Sequence, residues 1–417
     1  MSFLSDYLLY NSGNECPKNY HIWSALALLS SIVSHKVLIE SGYYITRPNL
    51  YVCLVGEQGS RKSAAKDIAR DILKDEFPGV PMSYAVMSKE AITKFLGSSD
   101  SVRAYTDWKG ILTEYHPFSM FINELKNFIG INPTGMIDFL TDIYDRKVFD
   151  VGTKNKGDDL VPNPYLVLLA CETPEWIVSK LKADIISGGF SRRVIFVYET
   201  DEVIRIPFPT ITPEMANSRA RFITRLHQIE KITGVFVWSN EARSFYDQWY
   251  QTLVYPTDPI MRGYFRSKHI QLLKVTMLLS LADRLSLVIE RETLEVALAL
   301  LDSIEPNMAK LSCGVGRNEL AQPTNKLLEY IQMSGEIVSE KDLLRFCYRD
   351  MSPQEVFSVL QHLEKTEQIV KFKKIDKKTG VERIMIGTKE KYLKLTAKVE
   401  TVLHDSSPSS QFLTPHP

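Results

Sequence analysis

Six apolar residues, Leu50-Tyr51-Val52-Cys53-Leu54-Val55, run directly into Gly56-Glu57-Gln58-Gly59-Ser60-Arg61-Lys62-Ser63, and apolar residues at helical spacing follow over 63–75. An unbroken apolar run of this length reads as a strand covered on both faces, the habit of parallel sheets. Glycines in the loop let successive backbone N–H groups turn inward, and the helix behind it aims its positive end at the same point. A strand, loop and helix in this order hold a phosphate group. In such a loop Lys62 is expected to reach the terminal phosphates as a point charge and the Ser63 hydroxyl to bind magnesium. Gly56, Gly59, Ser60, Arg61 and Ala64 complete the loop and the first turn. Arg61 stands where the pattern G-x-x-x-x-G-K-[ST] has its second glycine, and its side chain is expected to face solvent or a neighbouring subunit.

Three more apolar runs, 119–123, 165–171 and 192–199, predict neighbouring strands of an α/β fold with a parallel sheet. Hydrolysis of a phosphoanhydride needs a base for the attacking water and an oxygen ligand for magnesium, commonly at the end of a second apolar strand. The run Ser119-Met120-Phe121-Ile122 ends in Asn123-Glu124, which makes Glu124 the candidate base and Asn123, with Ser63 and Glu124, a candidate magnesium contact. Asn123 stands where an aspartate is common, so its contact would be neutral and weaker. The third run ends in Glu172-Thr173-Pro174, where Thr173, with Glu172 second, could sense the terminal phosphate. An N-cap role for Thr173 before Pro174 explains it nearly as well. Before the fourth run, Gly188-Gly189-Phe190-Ser191-Arg192-Arg193 offers paired arginines that could supply charge to a neighbour's site, Arg193 ahead of Arg192.

With 417 residues the chain has room for more than one domain. The reading is an N-terminal helical segment (1–43), an ATPase core (44–205), a helical lid (206–311), a smaller unit (324–395) and a disordered polar tail (396–417). Within 324–395, three short helical patterns precede an expected hairpin turning at Lys378-Thr379-Gly380, the pattern of a winged helix. Lys plus Arg and Asp plus Glu are both 50, so any basic surface is local. The five cysteines form no C-x-x-C pair, which argues against a zinc site and fits a reducing cytoplasm. The most apolar early stretch, 23–33, is too short to span a membrane and reads as a buried helix.

Taken in order, PNLYVCLVGEQGSRKS, FINE, LLACETPEW, GGFSRRVIFV and a helical K-H-x-x-x-L-K resemble a phage and mobile-element family of P-loop proteins associated with primase and helicase modules. More distantly, the chain is similar to AAA+ helicases of the minichromosome-maintenance type. The resemblance covers roughly residues 20–310, with the winged helix separate. It implies a ring-forming ATPase, commonly a homo-hexamer, that uses ATP and Mg2+ to move along or remodel DNA as a helicase or translocase. Arg61, Asn123 and the lack of an N-terminal primase or collar domain depart from the pattern, and the last leaves ring loading to a loader or primase partner. AAA+ and RecA-like strand orders both stay open. So do two other functions: a helicase loader, initiator or regulator without unwinding activity, and a defence or signalling ATPase whose winged helix binds protein.

In ring helicases, pore loops hold DNA through Lys or Arg on phosphates. Lys154 and Lys156, with Asn155 between them, are the candidates here, although Asp158 and Asp159 offset their charge. Residues 371–394 carry nine Lys or Arg and three acids, and Lys373, Lys374, Lys377 and Lys378 concentrate on the proposed wing. Such a wing suits phosphate contact rather than base reading.

Overall fold

A computed structural model describes residues 3–130, 133–152, 158–180, 189–200, 205–314, 321–334, 337–348, 351–375 and 382–393. The chain divides into two compact units, Met1–Cys313 and Gly314–Pro417. The N-terminal segment, core and helical region of the sequence reading thus share one unit, and a hairpin of Val37–Ser41 with Tyr44–Thr46 straddles the expected boundary at 43/44.

In the first unit, α1 (Phe3–Tyr10) and α2 (Lys18–Val33) flank the loop around Asn11 to Pro17. From Tyr20 to Val33 every residue of α2 is buried, which is why this stretch is so apolar. Among the described residues no helix is long and apolar enough to cross a membrane.

The central sheet follows. β1 (Tyr51–Val55) leads into α3 (Lys62–Glu76), then come β2 (Met82–Ser83), β3 (Arg103–Thr106), β4 (Leu112–Ile122), β5 (Pro164–Glu172) and β6 (Val194–Tyr198). In space the order is β6-β1-β5-β4-β2, all parallel, with β3 antiparallel against the start of β4. β1 and β5 are buried at every position, as their unbroken apolar runs require. Each fully buried Val or Leu there contributes about 1.5–3 kcal/mol.

The region after the sheet is mainly helical: α4 (Pro213–Glu230), α5 (Asn240–Gln251), α6 (Pro259–Arg284) and α7 (Arg291–Gly314). Short strands tie it down. Gly234–Val235 pairs with Val37–Leu38, and Val237–Trp238 with Val288–Ile289.

The second unit has helices Ala321–Met333, Glu340–Cys347 and Pro353–Lys365, then a hairpin of Val370–Ile375 with Glu382–Gly387. A third strand, Val338–Ser339, adds to the hairpin and makes a sheet that the sequence reading lacked. Leu327, Ile331, Leu343, Val356, Leu360 and Ile386 form its core. Ser352 and Glu355 cap its third helix reciprocally. The expected turn at Lys378-Thr379-Gly380 and the tail at 396–417 lie outside the described residues.

Candidate functional site

Parallel pairing decides where the chemistry gathers. Val55 pairs with Glu172 and Tyr198, and Ile122 with Ala170, so β1, β4, β5 and β6 end at one edge of the sheet. Gly56, Asn123, Thr173 and Glu199 therefore leave the sheet side by side. Ligands of open parallel sheets sit outside this carboxyl edge.

The loop from Gly56 to Arg61 is built tightly. Gly56 N–H donates to the Glu172 carbonyl at 3.3 Å. A Cβ at Gly56 would fall far inside contact distance of the Tyr20 hydroxyl and 2.7 Å from Ser60 Oγ, so only glycine fits. That hydroxyl, on buried α2, donates to the Val55 carbonyl at 2.5 Å. Tyr20 is a part of the site that the sequence reading missed. Gly59 has φ +85°, open to glycine alone without strain.

Arg61 has φ 63° and ψ 15°, the left-handed conformation that glycine adopts without strain. A side-chain-bearing residue there costs about 1–2 kcal/mol. Its guanidinium is 54% exposed, on the solvent side as expected, and there it meets Glu15 of the same chain at 2.6 Å.

Lys62 is buried, and its ammonium donates to the carbonyls of Gly56 (2.5 Å) and Glu57 (2.8 Å) and to Ser60 Oγ (3.2 Å). Burial pulls its pKa below the usual lysine range, and nearby Cys171 and Glu172 counter this. The Ser63 and Ala64 side chains are exposed at the start of α3, and no side chain caps that helix end. The ammonium and the N–H groups of Gly56, Ser60 and Ala64 are thus bonded within the chain, and the uncapped start of α3, with Ser63 and Ala64 exposed, is the part that suits an anion.

Acids surround this point. Glu172 is buried, accepting the N–H of Thr173 (2.8 Å) and of Lys126 (2.7 Å). Burial raises its pKa, against the pull of those two N–H groups. Glu57 is raised as well, by burial and then by the charge of Glu175. Glu124 is about half exposed, meets Lys126 at 3.3 Å and accepts from Asn127 Nδ2 at 2.6 Å. Asn123 is exposed beside it. Thr173 is partly buried and directly precedes the helix Pro174–Lys180, as an N-cap would. Among the described residues no three His, Cys, Asp or Glu side chains form a ready metal cluster. Ser63, Asn123 and Glu124 offer only oxygens, the ligand type of magnesium that arrives with phosphates.

Arg192 and Arg193 lie at the opposite edge, since Val194 pairs with Tyr51 at the start of β1. Arg192 is exposed. Arg193 is only 14% exposed, 3.3 Å from Asp145, over the Tyr144 ring and bonded to the Gly189 carbonyl at 3.0 Å. Gln271 of α6 donates to both arginine carbonyls at 3.3 Å. Close by, fully buried Lys274 donates to Asn49 Oδ1 at 2.6 Å and sits 3.8 Å from the centre of the Tyr144 ring.

Of the proposed nucleic-acid contacts, Lys154, Asn155, Lys156, Lys377 and Lys378 lie outside the described residues. The strands on either side of 153–157, Val148–Gly152 and Asp158–Pro162, do form an antiparallel hairpin. Lys373 is exposed and 3.2 Å from Glu382, and Lys374 pairs with Arg383 in the second unit's hairpin. No protein-family model matches the chain, and no curated protein matches it in sequence.

Proposed function

We propose that the first unit is a P-loop ATPase of AAA+ or RecA-like type and that the chain is a ring-forming, DNA-dependent helicase or translocase. The observation that carries the reading is the meeting, at the carboxyl edge of one parallel sheet, of the Gly56–Ser63 loop with Glu124, Asn123 and Thr173 from the ends of two further strands. In this reading, the loop's N–H groups and Lys62 bind the β- and γ-phosphates of ATP, with Lys62 exchanging its loop carbonyls for phosphate oxygens. Ser63, Asn123 and Glu124 would hold magnesium, which when bound would neutralise charge on the phosphates. Glu124 leaves Lys126 and Asn127 to orient water. Strand β5 separates β1 from β4, which puts Thr173 between the loop and Glu124, a position suited to contact with the γ-phosphate.

The arginine turn supports a shared site, because it lies at the edge away from its own loop and would have to act on a neighbour's. Its exposure favours Arg192 as the residue that reaches across, with Arg193 holding the turn. In the second unit, read as a winged helix, the basic hairpin supports phosphate contact through Lys373 and Lys374. Exposed Phe346, Tyr348 and Phe357 favour a second reading of that unit, contact with protein.

The test is ATP hydrolysis with and without single-stranded DNA, comparing wild type with Lys62→Ala, Glu124→Gln, Arg192→Ala and Arg193→Ala. The expected result is DNA-stimulated hydrolysis that rises with protein concentration per subunit, at least 100-fold lower in Glu124→Gln, and on the order of 10³-fold lower on loss of the trans-acting arginine. Hydrolysis that is absent in wild type, or unchanged in Glu124→Gln, would overturn the reading.

A further inference from the structure

Arg61 holds a left-handed backbone conformation that a side-chain-bearing residue disfavours. Strained residues of this kind persist where the surroundings hold them, often at functional sites. In that conformation Arg61 meets Glu15: Nη2 lies 2.6 Å from Glu15 Oε2, and Nε donates to the same oxygen at 2.8 Å. The other Glu15 oxygen accepts the backbone N–H of Ile206 at 3.0 Å. The Ile206 N–H first, and Arg61 second, hold the Glu15 carboxyl below its usual range. Next to it, the Cys16 thiol donates to the Arg61 carbonyl at 3.4 Å.

One carboxylate therefore joins three segments. They are the N-terminal loop, the candidate phosphate loop, and the stretch at Ile206 that leads from the sheet to α4. The same N-terminal loop also touches the head of α4 independently: a Cβ on Gly13 would lie 3.1 Å from both Met215 Cε and the Thr210 carbonyl. Any shift of Arg61 has a short path to α4, through Glu15 to Ile206 and through the loop to Thr210.

We propose that Arg61 is a positioning residue. Acting through Glu15, it ties the state of the phosphate loop to Ile206 and the head of α4, so that nucleotide on the loop is felt by the helical region. The proposal rests on the nucleotide reading above and gives Arg61 a role in that site.

Hydrogen exchange of the full chain tests it, with and without a magnesium-bound non-hydrolysable ATP analogue, followed at residues 205–215. Binding of a fluorescent ATP analogue is measured on the same samples. In wild type, saturation slows exchange at 205–215 at least fivefold. Glu15→Gln keeps the analogue's affinity within threefold, because it leaves the loop and Lys62 in place, but loses the response at 205–215. Arg61→Gly, which removes the side chain and relieves the backbone, loses it too, whereas Arg61→Lys keeps part of it. If wild type binds the analogue without a response at 205–215, or Glu15→Gln responds as wild type does, the coupling is wrong and the nucleotide reading stands. If wild type binds no analogue, the nucleotide reading itself fails.

Discussion

Gly56 has its identity fixed by a side chain far away in sequence. Tyr20 stands on α2 and bonds the last carbonyl of β1, and its hydroxyl occupies the space that a Cβ on Gly56 would need. Gly56→Ala is expected to cost about 1–3 kcal/mol, the usual range for overpacking. Adding Tyr20→Phe should restore part of that loss, since the two side groups compete for one space. Urea unfolding of both single variants and the double variant measures the coupling. Strict additivity would show that the hydroxyl does not fill that space. Nothing near Gly56 in the sequence marks Tyr20, whereas the strand, loop and helix start that carry Gly59, Lys62 and Ser63 are readable because they follow one another in a single stretch of chain. The same limit hid Glu15, the partner of Arg61, which comes from a loop that carries no motif of its own.

At the scale of elements, what could be read depended on how each strand is covered. β1, β5 and β6 are buried on both faces and show themselves as apolar runs. The start of β4 is exposed and alternating, with β3 paired to it, so only its buried second half was foreseen. The two-residue strands at Met82, Gly234 and Val288 follow from pairing at long range, and no local pattern encodes them. Helix α6 carries a consequence of its own. Burial pushes the Lys274 ammonium down to about 7. Between that pH and the ordinary lysine range near 10.5, the unfolded chain binds a proton that the native chain does not, so stability rises with pH on this account. Below pH 7 both states are charged and the penalty is constant. The stability of Lys274→Met relative to wild type should therefore decline between pH 7 and 10, by on the order of a few kcal/mol. Denaturant unfolding of both proteins at several pH values checks this, and a difference independent of pH would contradict it.

For the whole molecule, buried histidines pull stability down in acid, His21 and His35 most and His116 and His269 in the same direction, while Glu172 and Glu305, raised by burial, pull the other way. Burial pushes His21 down to about 4, and burial followed by the charge of Arg47 pushes His35 down to about 2, both from an ordinary value of 6.5. As pH falls below 6.5 the unfolded chain gains protons that the native chain refuses, so stability falls. Each histidine contributes about 1.4 kcal/mol per pH unit, with the share of His21 levelling off near pH 4. Denaturation midpoints that drop less steeply between pH 6.5 and 4.5 in a His21→Gln/His35→Gln double variant than in wild type would bear this out, and equal slopes would contradict it. The central claim, that the loop after β1 is a nucleotide site, is met most directly by titrating a fluorescent ATP analogue into the full chain with magnesium. Saturable binding to wild type, weakened at least tenfold by Lys62→Ala with the fold intact, is the predicted result. No binding to wild type, or equal binding by Lys62→Ala, would contradict it.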